Sequence, residues 1–272
     1  MGEGRVAIGS RTDALSEVDP HRVAPDAVVL DDLAAFGVRA IVTTRSGGVS
    51  TGPYASLNLG GHVGDEPAHV AENRSRLAAA MTVTADALMI ANQVHGCDVA
   101  VVGHGDEPGD VDVLVTTDPS IVLCVLVADC VPAVLVDPVA AVLAVVHVGW
   151  RGVAAGTMLA GVDAIVANGA DPARCRAYLG PRISARSYVV GDEVVAAFHA
   201  VGCGGDVVVA DDGRWHADLA GACARQLAAS GVQPGHVTVS SSVTDGGERF
   251  FSDRARRPCG RFAIAARLQG RS

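Results

Sequence analysis

The chain has 272 residues, of which 49% are hydrophobic and 19% are charged, and its formal net charge is −9. This composition is typical of a folded globular protein with a sizeable core, and it argues against a disordered chain. The negative charge argues against a nonspecific nucleic-acid binder, because such proteins need a basic surface to displace counterions.

All 21 basic residues are arginine, so the sequence excludes catalytic and P-loop lysines and leaves arginine to bind any phosphate or carboxylate. The longest apolar stretches, 121–128 and 139–148, are shorter than the roughly 20 residues that span a bilayer, so they predict buried strands and no membrane partner. The 7 cysteines are scattered and form no C-x-x-C motif. This pattern disfavours a disulfide scaffold and predicts a reduced, cytoplasmic protein.

The first elements in chain order precede the most apolar part of the sequence. Residues 1–25 mix acidic and basic side chains without an apolar segment, which predicts a loosely ordered arm and no secretion signal. A strand is predicted at 38–44, a long glycine-rich loop at 45–65, a helix at 67–81 and a strand running into a turn at 87–96. Long loops without periodicity are often functional.

The centre of the chain is a series of apolar runs bounded by Pro, Asp and Gly. Such runs are typical of strands buried on both faces, and they are predicted at 112–117, 121–130, 132–138 and 140–149. Small and aliphatic residues at helical spacing follow over 151–169, where Asn-Gly predicts the end of a helix.

Strands and helices alternate again in the last third. Strands are predicted at 175–181, 236–242 and 260–268, and helices at 191–202 and 218–231. No internal repeat or linker interrupts the chain. The sequence therefore predicts one α/β domain over residues 26–272, with a large mixed sheet flanked by helices.

Three potential metal ligands, His95, Cys130 and His147, each stand at the end of an apolar strand. Because neighbouring strand ends converge in a sheet, we expect these side chains to lie close together. Two imidazoles and one thiolate form a three-ligand set for Zn²⁺ that leaves a fourth position open, as in catalytic sites, and Cu²⁺ could also occupy it. Asp129 is a candidate for orienting a ligand or moving a proton, and water on such a Zn²⁺ has a pKa of about 7.

Other chemistry remains open for the same residues. A buried cysteine is more often a small hydrophobe, and a histidine at a strand end is commonly satisfied by a main-chain carbonyl. A Cys130 nucleophile with His147 as its base would also fit the pattern.

Candidate anion-binding residues lie in the glycine-rich loop and after the last central strand. Arg45 opens the loop, His62 comes from the same loop, and Arg151 stands where a helix is predicted to begin. A helix N-terminus with an adjacent arginine favours anions. The arginines of 250–262 could line a ligand site, but they are more typical of a solvated basic patch.

Five motifs in the same order resemble the multicopper polyphenol oxidase (laccase-domain) family, whose YfiH-type members are also described as purine nucleoside phosphorylases. The resemblance runs from Val38 to Leu268. The motifs are TTRSGGVSTGPYASLNLGGHVGD, NQVHG, ADCVPAVLVDP, HVGWRGVAAGT and RFFSDR with GRFA.

The resemblance implies a single α/β domain related to the cytotoxic-necrotizing-factor catalytic fold, with a zinc site at His95, Cys130 and His147. It implies phosphorolysis of adenosine, inosine and methylthioadenosine together with adenosine deamination, in a monomer or weak homo-oligomer. Copper-dependent oxidation of phenols is also attributed to the family. A multicopper oxidase needs several copper sites, whereas this sequence supports one, which favours the nucleoside activity.

The chain departs from the family at positions outside the three expected ligands. Arg182 and Arg186 replace cysteines, Val189 replaces a glutamate, Ser240 stands near a missing cysteine, and Asp253 replaces a common tyrosine. These changes bear on the shape of the pocket and on substrate preference.

Overall fold

The computed structural model of the protein describes residues 26–270. The predicted N-terminal arm, residues 1–25, lies outside the described residues. None of the helices within 26–270 is both long and apolar enough to cross a bilayer.

The described chain alternates short strands and helices. The strands are β1 (Ala27–Val29), β2 (Val38–Thr43), β3 (Leu88–Ile90), β4 (Val99–Val101), β5 (Val113–Thr116), β6 (Val122–Val127), β7 (Val131–Asp137), β8 (Val142–Val148), β9 (Arg176–Leu179), β10 (Val207–Val209), β11 (Trp215–Ala217), β12 (Val237–Val239) and β13 (Phe262–Leu268). The helices are α1 (Asp31–Ala34), α2 (Pro67–Ala80), α3 (Trp150–Ala155), α4 (Thr157–Ala167), α5 (Asp192–Ala200) and α6 (Leu219–Ala229).

The strands form two mixed sheets and a hairpin. The first sheet has the order β1-β2-β13-β6-β3, the second has the order β12-β9-β7-β8-β5-β4, and β10 pairs with β11. The mixed α/β fold is confirmed, but the predicted single large sheet is corrected to two. An apolar run indicates that a strand is buried on both faces. Two stacked sheets bury a strand in this way, and so does one sheet between helices, so the runs do not distinguish the two arrangements.

Alternate residues of the central strands face different layers. In β8, Leu143 and Val145 pack between the two sheets, whereas Val142 and Ala144 face the core under the helices α3 to α6. Helix α2 covers the other face of the first sheet. The domain therefore stacks as helix, sheet, sheet and helices, and the two-residue period of a strand builds both cores at once.

One predicted helix differs from the structure. The helix predicted over 151–169 is divided into α3 and α4 at Gly156, whose φ of +77° ends the first helix in the left-handed region. The strand predicted to run into a turn over 87–96 is confirmed as β3, which ends at Ile90 and is followed by a loop. The prediction missed β1, β4, α1 and the β10–β11 hairpin, which are short or half-exposed.

The chain crosses from the first sheet to the second between β6 and β7. Strand β6 pairs with β13, and β7 pairs with β8 and β9. Asp129, within the crossing, has a φ of +90°. The crossing brings the segment from Ala128 to Cys130 to the open end of the sheet stack.

Candidate metal centre and cleft

The residues predicted as metal ligands come together in space. One ligand atom each from His95, Cys130 and His147 lies within 4.8 Å of the others, and Cys130 Sγ is 3.9 Å from His95 Nε2. We call these residues the His–Cys–His group. Two imidazoles and one thiolate are a donor set that Zn²⁺ accepts, and their ligand atoms lie close enough together to be candidates for holding one metal ion.

Three different parts of the fold supply the group. Cys130 lies at the crossing from β6 to β7, His147 lies in β8 opposite Pro132 of β7, and His95 lies in the loop after β3. His147 is 3% exposed, whereas His95 is exposed on the open side. The group is thus anchored in the core on one side and accessible on the other.

Gly149 allows the close approach of the group. A Cβ atom at this position would lie 3.0 Å from Cys130 Sγ and 3.1 Å from His95 Cδ2. Any larger residue would push against two of the three side chains. The glycine between His147 and Trp150 is therefore explained by the space that the site needs.

Asp112 joins two members of the group, and sequence reasoning did not find it. Its Oδ1 accepts a hydrogen bond of 2.7 Å from His147 Nδ1, and its Oδ2 accepts one of 2.6 Å from the amide of Gly96. The first bond directs Nε2 of His147 towards the metal position, and the second holds the loop that carries His95. An acid beside the apolar run VLVTT was the available signal.

Charges are coupled inside the group. Burial by itself would raise the pKa of Cys130, but the neighbouring imidazoles of His147 and His95 lower it to about 6. Burial would lower the pKa of His147, but the Cys130 thiolate and Asp112 raise it to about 9. Burial also opposes the charge of Asp112, yet the bonds from His147 and Gly96 keep its pKa below the ordinary value. The site favours a thiolate, which is the form that binds metals.

The group lies in a cleft of about 390 Å³. Predicted site residues His62, Asp129 and Arg151 line this cleft too, as does Trp150. The guanidinium of Arg151 lies 4.3 Å from the ring centre of Trp150. At this distance the cation is attracted to the face of the indole, so Trp150 positions Arg151 at the wall of the cleft.

Three arginines of the C-terminal loop also line the cleft: Arg254, Arg257 and Arg261. We call them the arginine rim. Asp253 forms ion pairs with Arg257 and Arg261. Arg254 and Arg257 are exposed, as expected of a solvated basic patch, but the segment also lines the cleft. The segment reaches the cleft through tertiary contacts: β13 pairs with β6, and the amide of Arg254 donates a hydrogen bond to Asp129.

The burial of His62 and the charges of Arg261 and Arg74 lower its pKa. The local charge around this end of the cleft is therefore positive, although the whole chain carries −9. His62, Arg257 and Arg261 also line an adjoining cavity of about 420 Å³.

Arg45 does not reach the cleft. Its Nε and Nη2 donate hydrogen bonds of 3.0 and 2.9 Å to the carbonyl of Ala55, and its Nη1 donates one to the carbonyl of Gly247. The side chain faces a separate cavity of about 210 Å³. Arg45 therefore does not join the other predicted anion-binding residues in the cleft, and its guanidinium links two loops.

Asp129 lines the cleft with both carboxylate oxygens engaged. Oδ1 accepts a hydrogen bond from the hydroxyl of Thr244 at 2.5 Å, and Oδ2 accepts one from the amide of Arg254 at 2.7 Å. These bonds tie the crossing between the sheets to the loop that carries the arginine rim. The geometry favours a positioning role for Asp129.

Comparisons with known proteins agree with this architecture. The family model described as multi-copper polyphenol oxidoreductase laccase matches residues 39–269. A protein of Deinococcus radiodurans named purine nucleoside phosphorylase is 45% identical over 70% of this chain and 74% of its own length. Purine nucleoside phosphorylase ORF3 of Streptomyces griseus is 41% identical over 81% of this chain and 90% of its own.

Solved structures show the same fold. The hypothetical protein YfiH of Bacillus licheniformis superposes with a TM-score of 0.85 at 30% identity, over 90% of this chain and 97% of its own. YlmD of Geobacillus stearothermophilus superposes with a TM-score of 0.81 at 32% identity, over 86% of this chain and 93% of its own.

Proposed function

We propose that this chain, which belongs to the multi-copper polyphenol oxidoreductase laccase family, is a zinc-dependent purine nucleoside phosphorylase. The observation that carries the proposal is the juxtaposition of the His–Cys–His group with a cationic end of the same cleft. The names of relatives that cover most of the chain support the same activity. Adenosine, inosine and methylthioadenosine are the proposed nucleosides.

The proposed metal is Zn²⁺, held by His95, Cys130 and His147. The mixed nitrogen and sulfur donor set, the thiolate form of Cys130 and the carboxylate behind His147 support this ion, and Cu²⁺ fits the same donors. Bound at this position, the ion would supply a Lewis acid at the base of the cleft. Asp112 keeps His147 in the tautomer that presents Nε2.

The proposed phosphate site is the arginine rim together with His62. Guanidinium groups bind phosphate oxygens in paired hydrogen bonds and neutralise the dianion. Asp253 holds Arg257 and Arg261 in place, and Arg151 adds a cation on the wall beside Trp150. These residues replace Arg45 in the proposal.

The proposed reaction is a displacement at C1′ of the ribose. An oxygen of hydrogen phosphate forms a bond to C1′ while the bond from C1′ to the purine nitrogen breaks. The electron pair of the broken bond leaves with the base, which takes up a proton equivalent to the one that hydrogen phosphate gives up, and ribose 1-phosphate is the second product. The arginine rim orients the nucleophile and reduces its charge repulsion, so it contributes binding and proximity.

Deamination of adenosine is proposed as a second activity of the same site. The exposed side of the His–Cys–His group faces the cleft, which gives water access to a bound purine. In that reaction water replaces the amino group of adenine and ammonia is released. This activity needs no phosphate.

Two alternatives make different predictions. A multicopper phenol oxidase needs several copper sites, whereas residues 26–270 contain one group of three potential ligands of this kind. A metal-free hydrolase would use the pair of Cys130 and His147, whose coupled charges resemble an activated nucleophile.

The deciding experiment incubates the purified protein with inosine or adenosine, with and without phosphate. Ribose 1-phosphate formed only with phosphate supports phosphorolysis, and inosine formed from adenosine without phosphate supports deamination. Metal analysis of the protein and oxygen uptake with a phenol test the two alternatives. Absence of ribose 1-phosphate from every reaction would contradict the proposal.

A matched pair of variants tests the phosphate site. We expect Arg257→Ala to raise the KM for phosphate about tenfold, because a charge-assisted hydrogen bond to the dianion is lost. Arg214→Ala is the control, since Arg214 is also an exposed arginine paired with a nearby aspartate, Asp212, but it does not line the cleft. Equal phosphate KM values in the two variants would remove the arginine rim from the proposal.

A further inference from the structure

Tyr188 has a hydroxyl group that the protein leaves unpaired. The sequence contains 3 tyrosines. Tyr54 donates a hydrogen bond of 2.6 Å to the carbonyl of Val63, and the hydroxyl of Tyr178 is bonded to Ser240. The ring of Tyr188 is half-buried, and its hydroxyl makes no hydrogen bond within residues 26–270. The hydroxyl is not one of the buried polar atoms that lack a partner, so it is open to the solvent of the cleft and can bond a ligand there.

The side chain of Tyr188 lines the cleft beside the His–Cys–His group. Its backbone amide donates a hydrogen bond of 3.0 Å to the carbonyl of Ser184, and its own carbonyl accepts one of 3.1 Å from Ala217. The guanidinium of Arg254 lies 5.1 Å from its ring centre. Main chain and ring are therefore held, while the hydroxyl remains available to a ligand.

Tyr188 lies at the end of the cleft away from the adjoining cavity. His62, Arg257 and Arg261 line both cavities, whereas Tyr188, Trp150 and Ile183 line the cleft alone. The part of the cleft around Tyr188 offers aromatic and aliphatic surface for a flat purine base, with the guanidinium groups of Arg254 and Arg151 against the rings of Tyr188 and Trp150. His62, Arg257 and Arg261 extend the cationic lining into the adjoining cavity.

The hydroxyl stays protonated in this position. Burial raises the pKa of Tyr188 to about 12, and the neighbouring Cys130 thiolate adds to the effect. The group is therefore a hydrogen-bond donor throughout the physiological pH range.

We propose that the Tyr188 hydroxyl donates a hydrogen bond to the purine base and stabilises the negative charge that the base acquires on leaving. The inference rests on the proposed function. When the bond between C1′ and the base breaks, its electron pair moves to the ring nitrogens, and a fixed donor there binds the departing base more tightly than the intact nucleoside. The proton remains on Tyr188 throughout, so no covalent step involves the side chain.

The experiment compares two nucleosides in the wild type and in Tyr188→Phe. The base of inosine leaves as an anion unless it is protonated. The base of 7-methylinosine carries a positive charge in the nucleoside and leaves as a neutral molecule. We expect Tyr188→Phe to lower kcat for phosphorolysis of inosine at least tenfold and to change kcat for 7-methylinosine less than twofold. Tyr178→Phe is the matched control and should leave both rates within twofold of the wild type.

The outcomes separate this inference from the proposed function. Equal losses on both nucleosides, or no loss on inosine, would overturn the role of Tyr188 while leaving phosphorolysis intact. A wild type without phosphorolysis would overturn the proposed function. In that case the equilibrium binding of free hypoxanthine decides: we expect Tyr188→Phe to weaken it about tenfold, and equal affinity would overturn the Tyr188 inference as well.

Discussion

The side chain of Asp112 shows how one buried acid can organise the His–Cys–His group. It accepts hydrogen bonds from His147 Nδ1 and from the amides of Val94 and Gly96, which flank His95. Its carboxylate is fully buried, and the bonds from His147 and Gly96 are short, at 2.7 and 2.6 Å, so small changes there should alter the position of both histidines.

We expect Asp112→Asn to lower metal affinity about 10- to 100-fold, because an amide cannot accept hydrogen bonds at both positions and its NH₂ group opposes the donors. Metal content after dialysis against a graded chelator series measures the effect. Asp163→Asn, an exposed position on α4, is the control and should retain the wild-type affinity. An Asp112→Asn protein with unchanged metal affinity would show that the second carboxylate contact is dispensable.

At the level of elements, the end of β7 is fixed by one aspartate. Asp137 is fully buried and accepts hydrogen bonds from the amides of Val139 and Asp171 and from the guanidinium of Arg174. These bonds close the turn from β7 to β8 and attach the segment that leads into β9. Burial would raise the pKa of Asp137, but Arg174 and the amides lower it to about 2.

We expect Asp137→Asn to lower the free energy of unfolding at pH 7 by about 2 kcal/mol. The folded pKa lies below the ordinary value of 3.8, so the carboxylate stabilises the fold above that value and the contribution is lost as the pH falls towards 2. Urea denaturation at pH 7 and pH 3 measures the difference between variant and wild type, which should shrink at pH 3. Asp171→Asn changes the exposed partner of Arg174 and should lower the free energy of unfolding by less than about 1 kcal/mol. If the difference in stability between Asp137→Asn and the wild type did not change with pH, the lowered pKa of Asp137 would be contradicted.

At the scale of the whole molecule, stability depends on the contact between the two sheets. Leu143 of β8 is completely buried in the core between them. We expect Leu143→Ala to destabilise the protein by about 3 kcal/mol, because truncation removes apolar burial and leaves a cavity. Leu159→Ala, at a position that is 36% exposed, should lower the free energy of unfolding by about 1 kcal/mol or less. Equal losses of stability in the two variants, measured by chemical denaturation, would contradict a core between the two sheets.

The His–Cys–His group joins distant parts of the chain, so a metal ion bound there should stabilise the fold. We expect a chelator to lower the Tm of the wild type by several degrees, since a ligand at 100 times its Kd stabilises the native state by about 2.7 kcal/mol. Cys130→Ala should start at the lower Tm and respond little to the chelator. Cys97→Ala, which removes an exposed thiol outside the group, should respond like the wild type. The same response in Cys130→Ala and wild type would place the metal elsewhere.

The sequence was sufficient for the elements whose signals are local. The apolar runs predicted the central strands within a few residues, and the strand ends predicted that His95, Cys130 and His147 would meet. Motif resemblance predicted the family. These features depend on periodicity and residue type, which a chain carries without its fold.

Only the tertiary structure decided the partners of each polar group. Arg45 has the residue type for phosphate, yet its guanidinium is captured by the carbonyl of Gly247, 202 residues away in sequence. Tyr188 and the arginine rim line one cleft, and Asp112 holds His147 beside it, because strand pairing brings distant parts of the chain together. The sequence by itself determined which chemistry the chain could supply. The pairing of two sheets determined where that chemistry acts, because hydrogen bonds and charges are satisfied by neighbours in space and not by neighbours in sequence.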